Sequence, residues 1–413
     1  MRDDANTIIK RIIDENMPGQ AVKNALVAHD FSTKKIHMVA IGKAAWTMAK
    51  AASEFLGERL ISGIVVTKYE HAKGDIPRVE IIESGHPTPD ENTILGARKA
   101  IDLAQSLTAG DELLFLVSGG GSALFEMPCE GISLEGLVDV TNQLLASGAD
   151  IVEINMVRKR LSQVKGGRFA AICAPATVFT VVLSDVLGDR LDSIASGPAV
   201  PDSTTSADVQ KVIADYGIKL PDLYTSYLKE ETPKEISGIK SVVTGSVRTL
   251  CTSAARAAKE LGYTPVILTS TMNCEAREAG RMLASIAHDI QSGASSFEKP
   301  CAIIAGGETV VRLRGNGLGG RNQEVALSAA KGIAGIEGTL IFSLGSDGTD
   351  GPTDAAGGMV DQDTAGKLKS KGVDIDKSLA ENDSYNALKA ADGLIITGPT
   401  GTNVNDISVV LCR

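Results

Sequence analysis

The stretch that most constrains this chain is residues 113–122, Leu-Leu-Phe-Leu-Val-Ser-Gly-Gly-Gly-Ser. Consecutive apolar side chains from Leu113 to Val117 cannot alternate between a dry and a wet face. They read as a strand buried on both sides, as in the middle of a parallel sheet. Ser118, Gly119, Gly120, Gly121 and Ser122 follow at once. Glycines in succession permit positive φ and let several N–H groups point at one anion, and the flanking hydroxyls add donors. Ala123 to Phe125 could begin a helix whose positive end faces the same place. A tight strand-to-helix turn with no ligand would use the same residues. The anion-site reading gains weight because other apolar strands here end in equally polar, glycine-rich loops.

Upstream, Ile36–Ile41 is a short apolar strand, followed by Gly42, Lys43 and a small-residue helix from Ala44 to Phe55. Ile64–Thr67 and Val79–Ile82 are two further strands. The second leads into Gly85-His86-Pro87-Thr88-Pro89-Asp90, a stiff loop that caps a helix over residues 91–107. Helices are also expected over 134–147 and 150–164, and a strand over Val178–Leu183. This βαβα order predicts a parallel, doubly wound sheet whose ligand crevice lies at the carboxyl ends of the strands.

At 413 residues the chain calls for two domains, and the Pro-, Lys- and Glu-containing stretch 215–239 places the boundary near 235. We therefore expect domains 1–235 and 236–413. A net charge of −10 argues against nucleic acid or an anionic membrane as partner, and no apolar run is long enough to span a bilayer. Six scattered cysteines without CxxC or Cys/His spacing suit a cytoplasmic protein with reduced thiols.

In so acidic a chain, the basic residues must be concentrated wherever an anion binds. Arg158, Lys159, Arg160, Lys165 and Arg168 lie close together, with Gly166 and Gly167 between the last two. Ile151, Ile154, Val157 and Leu161 form the buried stripe of that helix, leaving Asn155, Arg158, Lys159 and Ser162 off it. A charge run of this kind is also the ordinary makeup of a solvated helix face.

In the second half, strands are expected over Ser241–Thr244, Thr264–Thr269, Cys301–Ala305, Leu340–Leu344, Ile395–Ile396 and Ile407–Leu411. In Thr309–Arg314, Val311 and Leu313 alternate with Arg312 and Arg314, which reads as a half-exposed, antiparallel strand in a mixed sheet. Gly315-Asn316-Gly317-Leu318-Gly319-Gly320 satisfies G-x-G-x-x-G. The arginine-bearing segment before it does not suit a dinucleotide fold's first strand, and anion binding with Arg321 as counter-ion fits better.

No P-loop, protein-kinase signature, Gly-x-Ser-x-Gly or metal-spaced histidine occurs, and His86 is read as structural within its proline loop. What remains suits phosphoryl transfer, in which the protein mainly positions groups and neutralises charge. The amide cradles would be Gly119–Gly121 and Gly315–Gly320, with Lys43, Arg321, Arg158, Lys159 and Lys165 as cations. Asp185, Asp189, Glu308, Asp347 and Asp350 are hard oxygen donors for Mg²⁺, although each is also ordinary turn chemistry.

Residues 42–51 (GKAAWTMAKA), 84–92 (SGHPTPDEN), 117–126 (VSGGGSALFE) and 154–168 (INMVRKRLSQVKGGR) resemble the class II glycerate kinases. So do 181–189 (VVLSDVLGD), 196–205 (SGPAVPDSTT), 306–311 (GGETVV), 317–324 (GLGGRNQE), 347–358 (DGTDGPTDAAGG) and 397–406 (TGPTGTNVND). The resemblance runs along essentially the whole chain. It implies a larger Rossmann-like domain and a smaller MOFRL domain with a mixed sheet, meeting at an active-site cleft. It also implies transfer of the γ-phosphate of ATP to D-glycerate with Mg²⁺ or another divalent cation, most often giving 2-phosphoglycerate for central carbon metabolism.

On this expectation Lys43, Arg321 and Asp185 are catalytic. Ser118, Gly119, Gly120, Gly121, Ser122, Asn155, Arg158, Lys159, Lys165, Glu308, Gly317, Gly319, Gly320 and Asn322 bind substrate or phosphate, and Asp189, Asp347 and Asp350 hold the metal. The residues leave open which aspartate is base and whether the chain is a monomer or homodimer. Two other readings use the same loops: an NAD-linked hydroxyacid oxidoreductase of the hydroxypyruvate or tartronate type, and a non-catalytic sensor of small phosphorylated acids.

Overall fold

The strands of the first half are β1 (Lys35–Ile41), β2 (Leu60–Lys68), β3 (Val79–Ser84), β4 (Asp111–Val117), β5 (Thr177–Leu183) and β6 (Ile239–Gly245). They form one sheet in the order β3-β2-β1-β4-β5-β6. The β3–β2, β2–β1, β1–β4 and β4–β5 pairs are parallel, as the apolar run at 113–117 requires. Every residue of β4 is buried. The computed structural model describes residues 1–31, 35–184, 188 and 190–413, which divide into two units: Pro18–Thr244, and Met1–Met17 with Gly245–Arg413.

Helices cover both faces of the first sheet, as expected for a doubly wound fold. Ala45–Leu56 packs its alanines and Met48 on one face, and Glu91–Gln105 packs Ala97, Ala100 and Ala104 on the other. The second helix starts with a reciprocal cap between Asp90 and Thr93, so the loop before it has a fixed exit. On that face Phe115, Phe125 and Phe169 meet, Phe169 standing 5.0 and 5.1 Å from the other two ring centroids.

The second unit holds β7 (Thr264–Met272), β8 (Cys301–Gly307), β9 (Thr339–Gly345), β10 (Gly357–Asp361), β11 (Leu394–Ile395) and β12 (Asp406–Cys412). Their order is β11-β10-β9-β12-β8-β7; β7–β8 is parallel and the other pairs are antiparallel, a mixed sheet. Helices Ala276–Ser292 and Arg321–Gly332 pack closely because their contact is built of Gly280, Ala284, Ser328, Ala329 and Gly332. A Cβ on Gly280 would fall 2.2 Å from the carbonyl oxygen of Val325.

Two elements depart from the sequence pattern. Thr309–Arg314 is not a strand: only Val310 makes a β-bridge, to Glu275, and Leu313 is 83% exposed. Its alternation does not persist because the amides of Arg314 and Gly315 donate to the Asn382 side chain instead of a ladder. Strand β10, Gly-Gly-Met-Val-Asp, was not visible in a sequence so rich in glycine at its start.

The helix Arg2–Glu15 was counted with the first domain from its place in the sequence, but it belongs to the second unit. Its Asp4 carboxylate accepts from Tyr263 Oη at 2.7 Å and pairs with Arg413, and Arg2 pairs with Asp361. Strand β6, expected to open the second domain, instead joins the first sheet, so the first unit runs to Thr244.

Phe169 is fully buried in the aromatic group beneath β4. Phe169→Ala is expected to cost about 3–5 kcal/mol, read as a lower urea midpoint for the transition of the first unit.

Candidate active site

The order β3-β2-β1-β4-β5-β6 reverses direction between β1 and β4. At such a switch point the following connections leave on opposite sides and open a crevice at the strands' carboxyl ends. Ile41 and Val117, the last residues of β1 and β4, are register partners, so both strands end at the same level. Gly42-Lys43 follows one and Ser118–Ser122 the other.

The two turns are zipped together. Ser118 N donates to Ile41 O at 3.0 Å and Lys43 N to Gly119 O at 2.9 Å, while Ser118 Oγ accepts from Ala44 N at 3.1 Å. Gly42 has φ +109°, and a Cβ there would lie 2.3 Å from Ser118 Oγ and 2.4 Å from its carbonyl oxygen. Only glycine allows this approach. Gly120 takes a left-handed φ of +82° at the tip of the other turn, beside Lys43 and His86. Lys43 Nζ makes no hydrogen bond or ion pair with any described residue. Ser118 is buried and its hydroxyl holds the two turns together, so it is not the ligand donor expected from the sequence.

The basic segment lies behind this turn. Lys165 is fully buried; its Nζ donates to the carbonyls of Ser122 at 2.8 Å and Phe125 at 3.1 Å and pairs with Glu126 at 3.3 Å. Burial pushes the Lys165 ammonium down to about 8, with Glu126 opposing and Arg158 adding to the shift. Arg158 also donates to Ser122 O, at 3.1 Å. Asn155 accepts from Ser196 Oγ, which meets Ser122 Oγ at 2.9 Å. Lys159 is buried against Asp202 at 3.2 Å. Burial alone would raise the Asp202 carboxyl, but the Lys159 charge and the Thr232 and Thr204 donors hold it below its ordinary range.

Of the expected cations here, Lys159 and Lys165 are therefore internal struts, although helical spacing puts Lys159 off the apolar stripe. Ile154, Val157 and Leu161 of the expected stripe are buried, but Ile151 is 66% exposed and Asn155 and Lys159 are buried as well. Ala195 and Ser196, both with left-handed φ, complete the support. Each such residue costs about 1–3 kcal/mol and persists only where its surroundings over-determine it.

A second group of polar residues forms in the other unit. Antiparallel β12 runs between β8 and β9, and its first residue, Asp406, is paired with both Gly307 and Gly345, their last residues. Asp406 accepts two bonds from Arg321, from Nε at 2.5 Å and Nη2 at 3.0 Å, and Glu308 accepts from Nη1 at 2.8 Å. Burial works against the Arg321 charge, but the hydrogen bonds to Asp406 and the charges of Asp406 and Glu308 outweigh it, so its pKa is raised. Asp347 lies close by: a Cβ on Gly345 would sit 3.3 Å from Asp347 Oδ1 and 3.4 Å from Asp406 Oδ1. Asn322 is buried and accepts from Ser343 Oγ at 2.6 Å, a bond inside the unit.

The 315–320 loop is neither a dinucleotide turn nor the amide cradle expected. Gly315 N and Leu318 N donate to the side chains of Asn382 and Asp383, and Gly317 N to Glu381 O at 2.8 Å. Its glycines serve close packing: Cβ atoms on Gly317 and Gly319 would meet Asp383 at 2.5 Å and Ser384 Oγ at 2.1 Å. Asp350, expected as a metal ligand, is a buried cap for the helix Arg321–Gly332, accepting from Asn322 N at 3.1 Å and Gln323 N at 2.8 Å. A Cβ on Gly320 would lie 2.3 Å from the Asp350 carboxyl carbon. Among the described residues no group of three His, Cys, Asp or Glu is arranged for a metal. Asp185 and Asp189 lie outside the described residues.

The sequence pattern points to no role for Asp406 or Glu126. An aspartate opening a last strand that is apolar apart from Ser408 is the one signal that could have marked Asp406, since a buried strand end tolerates a carboxylate only beside a cation.

Burial pushes the Asp350 carboxyl up to about 7 from an ordinary 3.8, against the two amide bonds and with Asp406 adding to the rise. The folded protein thus keeps a proton that the unfolded chain releases. This stabilising contribution is full below pH 3.8 and is lost as pH rises to about 7. Asp350→Asn cannot titrate and still offers an acceptor to the helix. Urea midpoints from pH 4 to 8 should fall less steeply in the variant than in the wild type.

Residues 4–229 match a family described as a domain of unknown function, DUF4147, and residues 301–406 match the MOFRL family. A D-glycerate 2-kinase of Thermotoga maritima is 54% identical over 404 residues, covering 98% of this chain and 96% of that one. The crystal structure of a Thermotoga maritima glycerate kinase, 53% identical, superposes with a TM-score of 0.96 over 100% of this chain and 99% of its own. A relative from Agrobacterium vitis, 40% identical over 98% of this chain and 94% of its own, carries a provisional name, hydroxypyruvate reductase. With the parallel switch-point sheet and the mixed second sheet, these matches place the chain in the class II glycerate kinase family.

Proposed function

We propose that this protein transfers the γ-phosphoryl group of ATP to the 2-hydroxyl of D-glycerate. The near full-length match to a D-glycerate 2-kinase carries this reading. The switch-point turn supports it, since it offers backbone amides and an uncommitted lysine to an anionic substrate. The substrate oxygen bonds to the γ-phosphorus as the bond to the β,γ-bridging oxygen breaks and ADP leaves with that electron pair.

In this reading the tip of the Ser118–Ser122 turn and Lys43 hold the substrate anion and offset charge on the transferring group. Arg321, set by Asp406 and Glu308, is the cation that the second unit contributes to the reaction. Asp347 is the described carboxylate best suited to a divalent cation, because one oxygen holds Thr349 N at 3.0 Å while the residue stays half-exposed. A magnesium ion in such kinases keeps several waters and takes the rest of its ligands from substrate phosphates, so one or two carboxylates suffice. Bound there, it would neutralise charge on the phosphates.

The provisional reductase name of one relative favours a second reading, hydride transfer to a hydroxyacid. Against it, the G-x-G-x-x-G segment has amides already engaged by Asn382, Asp383 and Glu381. One experiment separates the two: ³¹P NMR of the product from ATP and D-glycerate, beside NADH absorbance with hydroxypyruvate. A 2-phosphoglycerate resonance is expected; NADH consumption without any phosphorylated product would overturn the proposal.

Lys43→Met and Arg321→Lys are expected to lower kcat by about 100-fold or more while leaving the circular dichroism unchanged. The arginine change keeps a charge against buried Asp406 but loses the two-pronged fork. Wild-type kcat in either variant would remove that residue from the mechanism.

A further inference from the structure

We propose that His86 is a catalytic residue of this transfer, with its Nε2 accepting the proton of the attacking hydroxyl. The inference rests on the glycerate kinase reading above and names the base that reading lacks.

The argument starts from topology. Strand β3 lies three places from β4, so its outgoing loop must cross the carboxyl ends of β2 and β1 to reach the switch point, about 14 Å at ordinary strand spacing. The loop does so. A Cβ on Gly120 would stand 3.0 Å from His86 Nε2 and 3.1 Å from Lys43 Cγ, so the imidazole lies against the tip of the glycine turn beside the uncommitted lysine. Capping of the helix Glu91–Gln105 by Asp90 fixes the far end of the loop without using His86.

The ring is half-buried, and neither nitrogen has a hydrogen-bond partner among the described residues. A structural histidine at this burial ordinarily has one; His71 does, through Nδ1 and the carbonyl of Lys43 at 2.9 Å. Among the described residues, the titratable groups facing His86 are Lys43 after β1, Lys68 at the end of β2, and His71. The acidic residue of its own loop, Asp90, is directed to Tyr69 Oη at 2.7 Å and Thr93 N at 3.0 Å. Burial first, and then the Lys43 and Lys68 charges, lower the His86 pKa, so the free enzyme presents a neutral imidazole at pH 7. Anionic substrates bring compensating charge, and the imidazole can then take the proton. The hydroxyl O–H bond breaks, its oxygen forms the phosphate ester, and imidazolium remains until it returns the proton to water.

The test uses the full chain with ATP, magnesium and D-glycerate, measuring kcat and kcat/KM from pH 5 to 8.5. Wild type, His86→Gln, His86→Asn and His86→Ala are compared, the last with added imidazole. The wild type should lose kcat/KM on the acid side as His86 protonates. The glutamine and asparagine variants should lose about 100-fold in kcat and also lose that acid limb. Turnover by the alanine variant should rise with the concentration of unprotonated imidazole. An intact acid limb in the variants, kcat within threefold of wild type, or no rescue of folded His86→Ala would overturn the assignment. A wild type that makes no phosphoglycerate would instead overturn the kinase reading itself, so the two failures are distinguishable.

Discussion

The first unit depends on one close approach, the backbone of Gly42 against Ser118. Strands β1 and β4 end in register, and their connections must leave on opposite sides of the sheet. The crevice this creates stays usable only if the two turns do not fill it with their own side chains. Glycine at 42 and the serine hydroxyl at 118 satisfy that by joining the turns edge to edge, backbone to backbone. Lys43 is then carried to the rim with its amine uncommitted, and Gly120 presents backbone where any larger residue would crowd Lys43 and His86.

Behind the rim, charge is used for positioning. Lys165 and Arg158 share the carbonyl of Ser122, and Glu126 balances them out of water. A fully buried ammonium is costly, which is why its pKa falls to about 8, and it persists because three oxygen partners converge on it. In the other unit, Asp406 plays the corresponding part for Arg321. Its place at the start of β12, between the ends of β8 and β9, comes directly from antiparallel register. Both units thus carry a cation whose surroundings are set by strand ends and buried counter-charges.

Much of the fold could be read from the chain because apolar runs that must be buried on both faces have few alternatives to a parallel sheet. The strands over 36–41, 113–117 and 178–183 lie where the runs place them, as does the helix over 134–147. The reading failed where a short pattern was ambiguous. Thr309–Arg314 alternates like a strand, yet its amides find the Asn382 side chain. Lys159 and Lys165 look like solvated basic residues, and only tertiary packing supplies Asp202 and Glu126 to hold them inside. The 315–320 glycines meet a phosphate-loop pattern, but their lack of side chains is needed to pass Glu381, Asp383 and Ser384.

The sequence by itself determined the fold class, the strand ends at which chemistry is possible, and the family to which those strand ends belong. The first two follow from local rules, which residues must be buried and which loops can take positive φ; the family follows from the resemblance of whole motifs. Tertiary structure alone decided which polar residues are struts and which are offered to a ligand. A carboxylate that caps a helix, as Asp350 does, and one that faces solvent, as Asp347 partly does, are identical in sequence. What separates them is the partner that folding brings within hydrogen-bonding distance from far along the chain.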